Sequence, residues 1–129
     1  MANPKLLIVD DDPGIRAQLK WGLDDFEVIT ADSRKRAIEQ FESSQPPLVT
    51  LDLGLPPDVE GTSEGFAILQ AILEIAPDTK VIVVSGSDEE VNSLKAIKYG
   101  AFEFFAKPVD VVQLKVILER AYISYQSTE

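Results

Sequence analysis

The chain has 129 residues, a formal net charge of −10 at pH 7, and neither cysteine nor histidine. These absences exclude disulfides, thiolate metal sites and histidine-based catalysis, so any chemistry must use carboxylates, lysine, hydroxyls and hard cations. The acidic surface disfavours contact with nucleic acid or anionic lipid, and no signal peptide or membrane-spanning stretch is visible, so we expect a cytoplasmic protein.

The chain alternates between short apolar runs and segments with helical spacing. We predict strands at residues 5–9, 27–30, 48–52, 79–85 and 102–105. We predict helices over residues 13–24, 34–44 and 65–76, a fourth helix running to about Tyr99, and a last helix after Asp110. Five strand-then-helix units imply right-handed crossovers and a parallel sheet covered on both faces, which is an α/β fold.

Capping and packing residues support these boundaries. We predict helix N-caps at Asp12, Ser33, Ser87 and Asp110, and Gly100 is expected just after the fourth helix. The predicted core-facing residues of the first and last helices are Ile15, Leu19, Leu23, Phe26, Leu114, Ile117, Leu118, Ala121 and Tyr125. Trp21 lies off this stripe, so we expect its ring to be partly exposed.

A second apolar stripe lies on the last helix, away from its core face. It consists of Val112, Val116 and Ile123. Such a stripe is either ordinary surface apolarity or a surface for a partner or a second copy of the chain, and both interpretations stay open on the sequence alone.

Four of the predicted strands end in or run directly into polar residues, namely Asp10 and Asp11, Asp52, Ser85 and Lys107. Because ligands of open α/β sheets bind outside the carboxyl ends of the strands, we expect one site at this edge. Clustered carboxylates repel one another unless a cation lies among them, and Mg²⁺ prefers carboxylate and phosphate oxygens. An aspartate beside Mg²⁺ and a lysine is suited to attack phosphorus and form an aspartyl phosphate.

Four motifs carry these residues: Val9-Asp10-Asp11-Asp12, Leu51-Asp52 with Pro56, Val84-Ser85-Gly86, and Lys107-Pro108. Together they resemble the receiver domains of two-component response regulators, over about residues 5 to 125. The resemblance implies a flavodoxin-like (βα)5 three-layer sandwich whose parallel sheet has the strand order 2-1-3-4-5. It also implies a phosphoacceptor signalling domain rather than an enzyme with turnover.

By this resemblance, Asp52 accepts a phosphoryl group from the phosphohistidine of a sensor histidine kinase. Asp11 would bind Mg²⁺ directly, and Asp10 would bind it through water or as a second ligand. Asp52 itself and the backbone carbonyl of Gly54 would complete the metal site.

The resemblance also implies a switch. Ser85 would hydrogen-bond one phosphoryl oxygen, Lys107 would pair with another, and the Lys107–Pro108 peptide bond would be cis. Phe104 stands where the family carries an aromatic that rotates inward after phosphorylation, although Phe lacks the hydroxyl of the common Tyr. The surface of the fourth helix, fifth strand and fifth helix would then change, to control an output such as transcription or to form a homodimer.

Two features depart from the usual receiver pattern. The loop over residues 57–64 is longer than receivers usually carry, and it borders the predicted phosphorylation site, so we expect it to alter kinase docking or to shield the phosphoryl group. Ser85 stands where Thr is commoner, which keeps the hydroxyl and loses a methyl group. The Asp-Leu-Gly-Leu-Pro-Pro loop resembles receivers of PEP-CTERM-linked regulators, which precede an AAA+ ATPase and a helix-turn-helix domain.

Two other functions use similar chemistry. A haloacid-dehalogenase-like phosphatase also needs an aspartate nucleophile, Mg²⁺, a hydroxyl and a lysine, but it requires a second Asp where this chain has Gly54. A flavodoxin-like FMN protein needs a hydroxyl- or glycine-rich phosphate loop after the first strand, where Asp10 and Asp11 would repel a phosphate.

We expect residues 1–129 to form a single receiver domain. The segment Gln126 to Glu129 is either a natural terminus or the start of a linker to an output domain that was removed. We expect no direct nucleic-acid or membrane binding by this acidic domain, so any DNA binding would belong to that output domain.

Overall fold

The computed structural model describes residues 3–86 and 89–127 and contains five strands and five helices in those ranges. In chain order they are β1 Lys5–Val9, α1 Pro13–Gly22, β2 Glu27–Ala31, α2 Arg34–Ser44, β3 Leu48–Asp52, α3 Ser63–Ile75, β4 Lys80–Ser85, α4 Glu89–Lys98, β5 Glu103–Ala106 and α5 Val111–Ser127. Every strand falls where the sequence pattern predicts one, to within a residue.

The five strands form one parallel sheet with the order β2-β1-β3-β4-β5. This order confirms the fold that the family resemblance implied, with helices on both faces of the sheet. All five residues of β3 are buried, because both faces of a central parallel strand are covered. The central strands are therefore apolar along most of their length, and charged residues are confined to their ends.

Alternation along the strands divides the core into two clusters, one on each face of the sheet. On one face, strand residues such as Leu7 and Val49 pack against α2, α3 and α4, and Phe41 of α2 is fully buried. On the other face, strand residues such as Ile8 and Ile82 pack against α1 and α5. The result is a three-layer sandwich in which the two cores are separated by the sheet.

Side-chain caps fix the starts of three helices, as the sequence predicts. Asp12 accepts hydrogen bonds from the backbone N–H groups of Gly14 (2.8 Å) and Ile15 (3.3 Å). Ser33 and Asp110 cap α2 and α5 in the same way. The predicted cap at Ser87 lies outside the described residues, whereas Gly100 has a φ of +101° and follows the end of α4 as predicted.

Some element boundaries differ from the prediction by one or two residues. Helix α1 ends at Gly22 rather than near residue 24, because the backbone of Leu23 leaves the helical region at φ −112° and ψ 44°. Helix α3 begins at Ser63 rather than Gly65, since the Phe66 N–H already donates to the Thr62 carbonyl. Strand β5 lies one residue later than predicted, because its pairing with β4 extends to Ala106.

One core prediction on α5 is wrong. Tyr125 is only half-buried and lies outside both core clusters, and Tyr122 packs against the core instead. The two tyrosine rings stack with their centroids 6.2 Å apart, so Tyr125 contacts the core layer through its neighbour. The Trp21 side chain lies off the core face, as predicted, and is 84% exposed. The three residues of the second α5 stripe, Val112, Val116 and Ile123, are exposed as well.

Within residues 3–86 and 89–127, none of the helices combines the length and the apolarity that crossing a bilayer requires.

The buried Phe41 ring provides a test of this core. We expect Phe41→Ala to lower the free energy of unfolding by about 3–5 kcal/mol, because the cavity left in a close-packed layer cannot collapse fully. Trp21→Ala, a matched loss of an exposed ring, should change it by less than about 0.5 kcal/mol. Urea unfolding followed by circular dichroism measures both, and equal losses for the two variants would contradict this description of the core.

Candidate phosphoacceptor site

The register of the sheet brings the ends of four strands to one edge. In the β3–β4 ladder Asp52 lies beside Val84, and in the β4–β5 ladder Ser85 lies beside Ala106. Asp10 directly follows β1, and Lys107 directly follows β5. The residues predicted from strand ends are therefore neighbours in space.

Three carboxylates gather at this edge. Among the described residues, carboxylate oxygens of Asp10, Asp11 and Asp52 lie within 4.8 Å of one another. Asp10 and Asp52 are buried, with exposed fractions of 3% and 7%, whereas Asp11 is half-buried. Such a set of oxygen ligands fits a hard cation, since hard cations take carboxylate oxygens and relieve their mutual repulsion.

The Lys107 ammonium pairs with the two buried carboxylates. Its Nζ lies 3.3 Å from Asp52 Oδ1 and 3.5 Å from Asp10 Oδ2. The backbone holds this side chain in place, because the Lys107 N–H donates to the Ser85 carbonyl at 3.0 Å. The Lys107–Pro108 peptide bond is cis, as the resemblance implied, and so is Pro56–Pro57.

Burial and charge compete at Asp52. The net effect raises its pKa from the ordinary 3.8 to about 6, chiefly through desolvation and secondly through the nearby Asp10 carboxylate. Lys107 and a hydrogen bond from the Gly54 backbone N–H act in the opposite direction. Desolvation also raises the pKa of Asp10, against the opposing effects of the Asp12 N–H and of Lys107.

The same balance acts on the lysine. Burial alone would lower the pKa of Lys107, because it disfavours the charged ammonium. The carboxylates of Asp52 and Asp10 outweigh that effect and hold the pKa above its ordinary value. Lys107 is therefore a cation over the whole physiological range.

Two further contacts fix Asp10, and the sequence patterns did not predict them. The Asp12 backbone N–H donates to Asp10 Oδ1 at 2.9 Å, and Arg16 Nη1 of α1 donates to the Asp10 carbonyl at 2.8 Å. Arg16 thus ties the first helix to the strand end that carries the acidic pair. No sequence spacing marks this contact, because it depends on how α1 packs beside β1.

A cavity of about 400 Å³ opens over the cluster. It is lined by Asp11, Asp52, Gly54, Val59, Glu60, Gly61, Ser85, Gly86 and Lys107. Ser85 and Gly54 therefore lie where the sequence predicted them, beside Asp52. Val59, Glu60 and Gly61 come from the long loop over residues 57–64, and their place in the cavity wall was not predicted individually.

Phe104 lies outside this cavity. It is half-buried and packs against the core cluster of α2, α3 and α4. Its neighbours Phe102 and Phe105 belong to the cluster on the opposite face, as expected for packing residues on an alternating strand. The residue predicted to act in switching is thus on the α4 side of the sheet, three positions before Lys107.

Close packing explains one glycine at the site. A Cβ atom on Gly54 would overlap the backbone carbonyl oxygen of Val59 and lie 3.7 Å from that of Gly61. The long loop therefore rests directly on the turn that follows β3, and only a residue without a side chain fits between them.

The sequence matches the response regulator receiver domain family over residues 6–119. The chain belongs to this family. Receiver domains are signalling domains of two-component systems, so the site lies in a receiver. The roles of its individual residues remain predictions at this stage.

The curated relatives range from about the length of this chain to about four times its length. The chain is 32% identical to the transcriptional regulatory protein KdpE of Staphylococcus aureus, over 96% of this chain and 53% of the relative. It is 33% identical to the chemotaxis protein CheY of Listeria monocytogenes, over 91% of this chain and 97% of the relative. The chain thus spans about half of the first relative, a quarter of the NtrX and AtoC regulators, and almost all of CheY.

Solved structures agree with this assignment. A crystal structure of NtrX from Brucella abortus superimposes with a TM-score of 0.87 at 30% identity, covering 99% of this chain and 29% of that chain. A receiver domain from Clostridium thermocellum superimposes with a TM-score of 0.88 at 28% identity over the whole of both chains. The relatives also include the DNA-binding transcriptional regulator NtrC of Azospirillum brasilense and the response regulator protein PilR of Pseudomonas aeruginosa, which agrees with the resemblance to response regulators. The narrower link to PEP-CTERM systems stays a prediction.

The raised pKa of Asp52 predicts a pH trend in the metal-free protein. The folded state holds this proton more tightly than the unfolded chain, so the carboxylate destabilises the fold progressively as pH rises from about 4 through about 6. In EDTA, Asp52→Asn should therefore gain up to about 2–3 kcal/mol of unfolding free energy relative to wild type across this window, and no more above it.

Urea unfolding at several pH values measures this difference. Asp78→Asn is the matched control, because it removes an exposed carboxylate just before β4, at the opposite edge of the sheet. Wild-type and Asp52→Asn curves that stay parallel from pH 4 to pH 7 would contradict the burial of this carboxylate.

The contact between Gly54 and the long loop gives a second prediction. Gly54→Ala should lower the free energy of unfolding by about 1–3 kcal/mol, since backbone atoms must move to make room for the methyl group. Gly86→Ala serves as the control, because its Cβ would lie at an ordinary 3.6 Å from Lys107 Cβ. Thermal unfolding compares the two, and an equal or larger loss in the control would show that the loop does not rest on Gly54.

Proposed function

We propose that this receiver accepts a phosphoryl group on Asp52 from the phosphohistidine of a sensor histidine kinase and then changes its α4–β5–α5 surface to control an output. The observation that carries this proposal is the buried Asp52 carboxylate, which lines the cavity, lies 3.3 Å from Lys107 Nζ and is grouped with the carboxylates of Asp10 and Asp11. A carboxylate and an ammonium in that position suit phosphoryl transfer better than metal storage alone.

In the proposed transfer, an Asp52 carboxylate oxygen forms a bond to phosphorus while the phosphorus–nitrogen bond of the phosphohistidine breaks. The imidazole leaves with the bonding pair and takes up a proton. A pKa of about 6 leaves Asp52 mostly ionised at neutral pH, so the nucleophile is available. Lys107 neutralises charge on the transferred oxygens, and the Ser85 hydroxyl donates a hydrogen bond to one of them.

The cofactor in this proposal is Mg²⁺. Its ligands would be the carboxylates of Asp10, Asp11 and Asp52 and the backbone carbonyl of Gly54. When bound, the ion offsets the negative charge that the phosphoryl group adds to the carboxylate cluster. The close grouping of the three carboxylates and the acceptor-only chemistry of their oxygens support this assignment.

The proposed switch starts from the lysine. A phosphoryl group on Asp52 gives Lys107 a new anionic partner and competes with the present contacts to Asp52 and Asp10. Ser85 and Phe104 would follow that change and alter the packing against α4. Exposed apolar residues on α4 and α5 support an interaction surface there, for an output domain or for a second copy of the chain.

Several broader assignments follow from the same proposal. The domain works as one phosphoacceptor unit over residues 1–129, alone or as part of a longer regulator like KdpE, and it acts in the cytoplasm without binding membrane. Its charge of −10 argues against direct contact with DNA, which would belong to an output domain. It is phosphorylated and loses the phosphoryl group itself, but it does not turn over phosphate esters as a phosphatase would.

Labelling with acetyl phosphate tests this function. In the presence of Mg²⁺, the wild type should gain one acid-stable, base-labile acyl phosphate. Asp52→Asn should gain none, because Asp10, which also lies beside Lys107, does not line the cavity. Phosphate-affinity gels and intact-mass measurement detect the product. Asp78→Asn is the control, since it removes an exposed carboxylate at the opposite edge of the sheet.

Labelling of Asp52→Asn at the wild-type level would overturn the assignment of the phosphoacceptor. Sustained release of phosphate from a phosphate ester, beyond one equivalent of protein, would favour the phosphatase alternative.

A further inference from the structure

The long loop forms a wall of the cavity that holds Asp52. Val59, Glu60 and Gly61 line this cavity together with Asp52 and Lys107. Both Val59 and Glu60 are exposed, which puts them at the mouth of the cavity rather than at its floor. Any phosphoryl donor that reaches Asp52 must therefore pass this segment.

Hydrogen bonds hold the segment in a defined turn. The Asp58 backbone N–H donates to the Leu55 carbonyl at 2.8 Å, and the Gly61 N–H donates to the Asp58 carbonyl at 3.1 Å. The Asp58 carboxylate closes the turn by accepting from the Ser63 hydroxyl at 2.6 Å and from the Ser63 N–H at 3.4 Å. Glu60 therefore lies in a turn whose conformation these hydrogen bonds stabilise.

Two glycines allow the turn to approach the acceptor strand. A Cβ atom on Gly54 would overlap the Val59 carbonyl, and one on Gly61 would overlap the Asp58 carboxylate. The first of these contacts lies only two residues after Asp52. The two glycines therefore let the backbone on either side of Glu60 pack closely, against the turn after β3 and against the Asp58 carboxylate.

Glu60 adds negative charge to a cavity that is already acidic. Among the described residues that line it, Asp11 and Asp52 are also acidic, and Lys107 is the one cation. Lys107 is already paired with Asp52 and Asp10, so the Glu60 charge is left to act on whatever approaches the mouth. A like-charge interaction of this kind penalises a donor in proportion to its own negative charge.

We propose that Glu60 is a specificity-determining residue that makes Asp52 favour phosphoryl donors of low negative charge. This inference rests on the proposed phosphorylation of Asp52. Donors with a phosphorus–nitrogen bond, which release a neutral amine or imidazole, are favoured over dianionic acyl phosphates, which release a carboxylate. In either reaction an Asp52 oxygen bonds to phosphorus as the donor's bond breaks, and the amine leaving group takes up a proton.

Two small donors of different charge test this inference. Initial rates of Asp52 phosphorylation would be measured with acetyl phosphate, a dianion at neutral pH, and with phosphoramidate, which is less negatively charged, at fixed Mg²⁺ and ionic strength. We expect Glu60→Gln to raise the acetyl phosphate rate relative to the phosphoramidate rate about threefold, the size that one charge pair gives in a high effective dielectric. Added salt should reduce this change.

Two further variants separate charge from structure. Glu64 lies in the same stretch of chain, but its carboxylate pairs with Arg34 at 3.3 Å and does not line the cavity. Glu64→Gln should therefore leave the ratio of the acetyl phosphate rate to the phosphoramidate rate unchanged. Glu60→Asp keeps the charge and should retain most of the wild-type ratio.

An unchanged ratio in Glu60→Gln, or an equal change in Glu64→Gln or Glu60→Asp, would overturn the role of the Glu60 charge while leaving the phosphoacceptor intact. Failure of both donors to label the wild type would instead count against the proposed function itself.

Discussion

The Lys107 ammonium group stabilises two buried carboxylates that would otherwise repel each other. Asp10 and Asp52 are buried carboxylates, and both have their pKa raised because removal from water disfavours their charge. Lys107 lies within 3.5 Å of each and supplies the opposite charge in the same low-dielectric setting. Removing the lysine would leave two uncompensated anions at the sheet edge, which costs far more than an exposed ion pair contributes.

The fold produces this arrangement by the way its strands end. Each central strand is apolar on both faces, because helices cover both sides of the sheet, so polar residues are tolerated only where the ladder stops. Because the strands are parallel, their carboxyl ends lie at the same edge of the sheet, and polar residues from distant parts of the chain meet there. The catalytic chemistry proposed for Asp52 thus follows from packing rules that apply to the apolar residues behind it.

Much of this could be predicted from the sequence. The buried run Leu48–Asp52 and the caps at Asp12 and Asp110 carry local signals, namely continuous apolarity and a side chain that bonds to the next turn. The carboxylate and lysine positions followed from one rule about strand ends. The strand order, by contrast, came from family resemblance, since periodicity alone does not say which strands are neighbours.

Other features depend on contacts that leave no periodic trace. The hydrogen bond from Arg16 to the Asp10 carbonyl is set by the packing of a helix against a strand, and the position of Glu60 by a turn that folds back over Gly54. Tyr125 fits the helical stripe on α5, yet Tyr122 packs against the core cluster instead. These residues were missed because long-range geometry, not local pattern, decides their neighbours.

The residues of the candidate site lie on strands that the sheet holds to different degrees, one central and one at the edge. Asp52 belongs to β3, which is hydrogen-bonded on both sides, to β1 and to β4. Phe104 belongs to the edge strand β5, which pairs with β4 along one side, and Lys107 directly follows β5. Displacing an edge strand disrupts a single ladder, whereas displacing β3 would disrupt two. The proposed acceptor therefore lies at the centre of the sheet, and the groups proposed to respond to it lie at the margin that is displaced most easily.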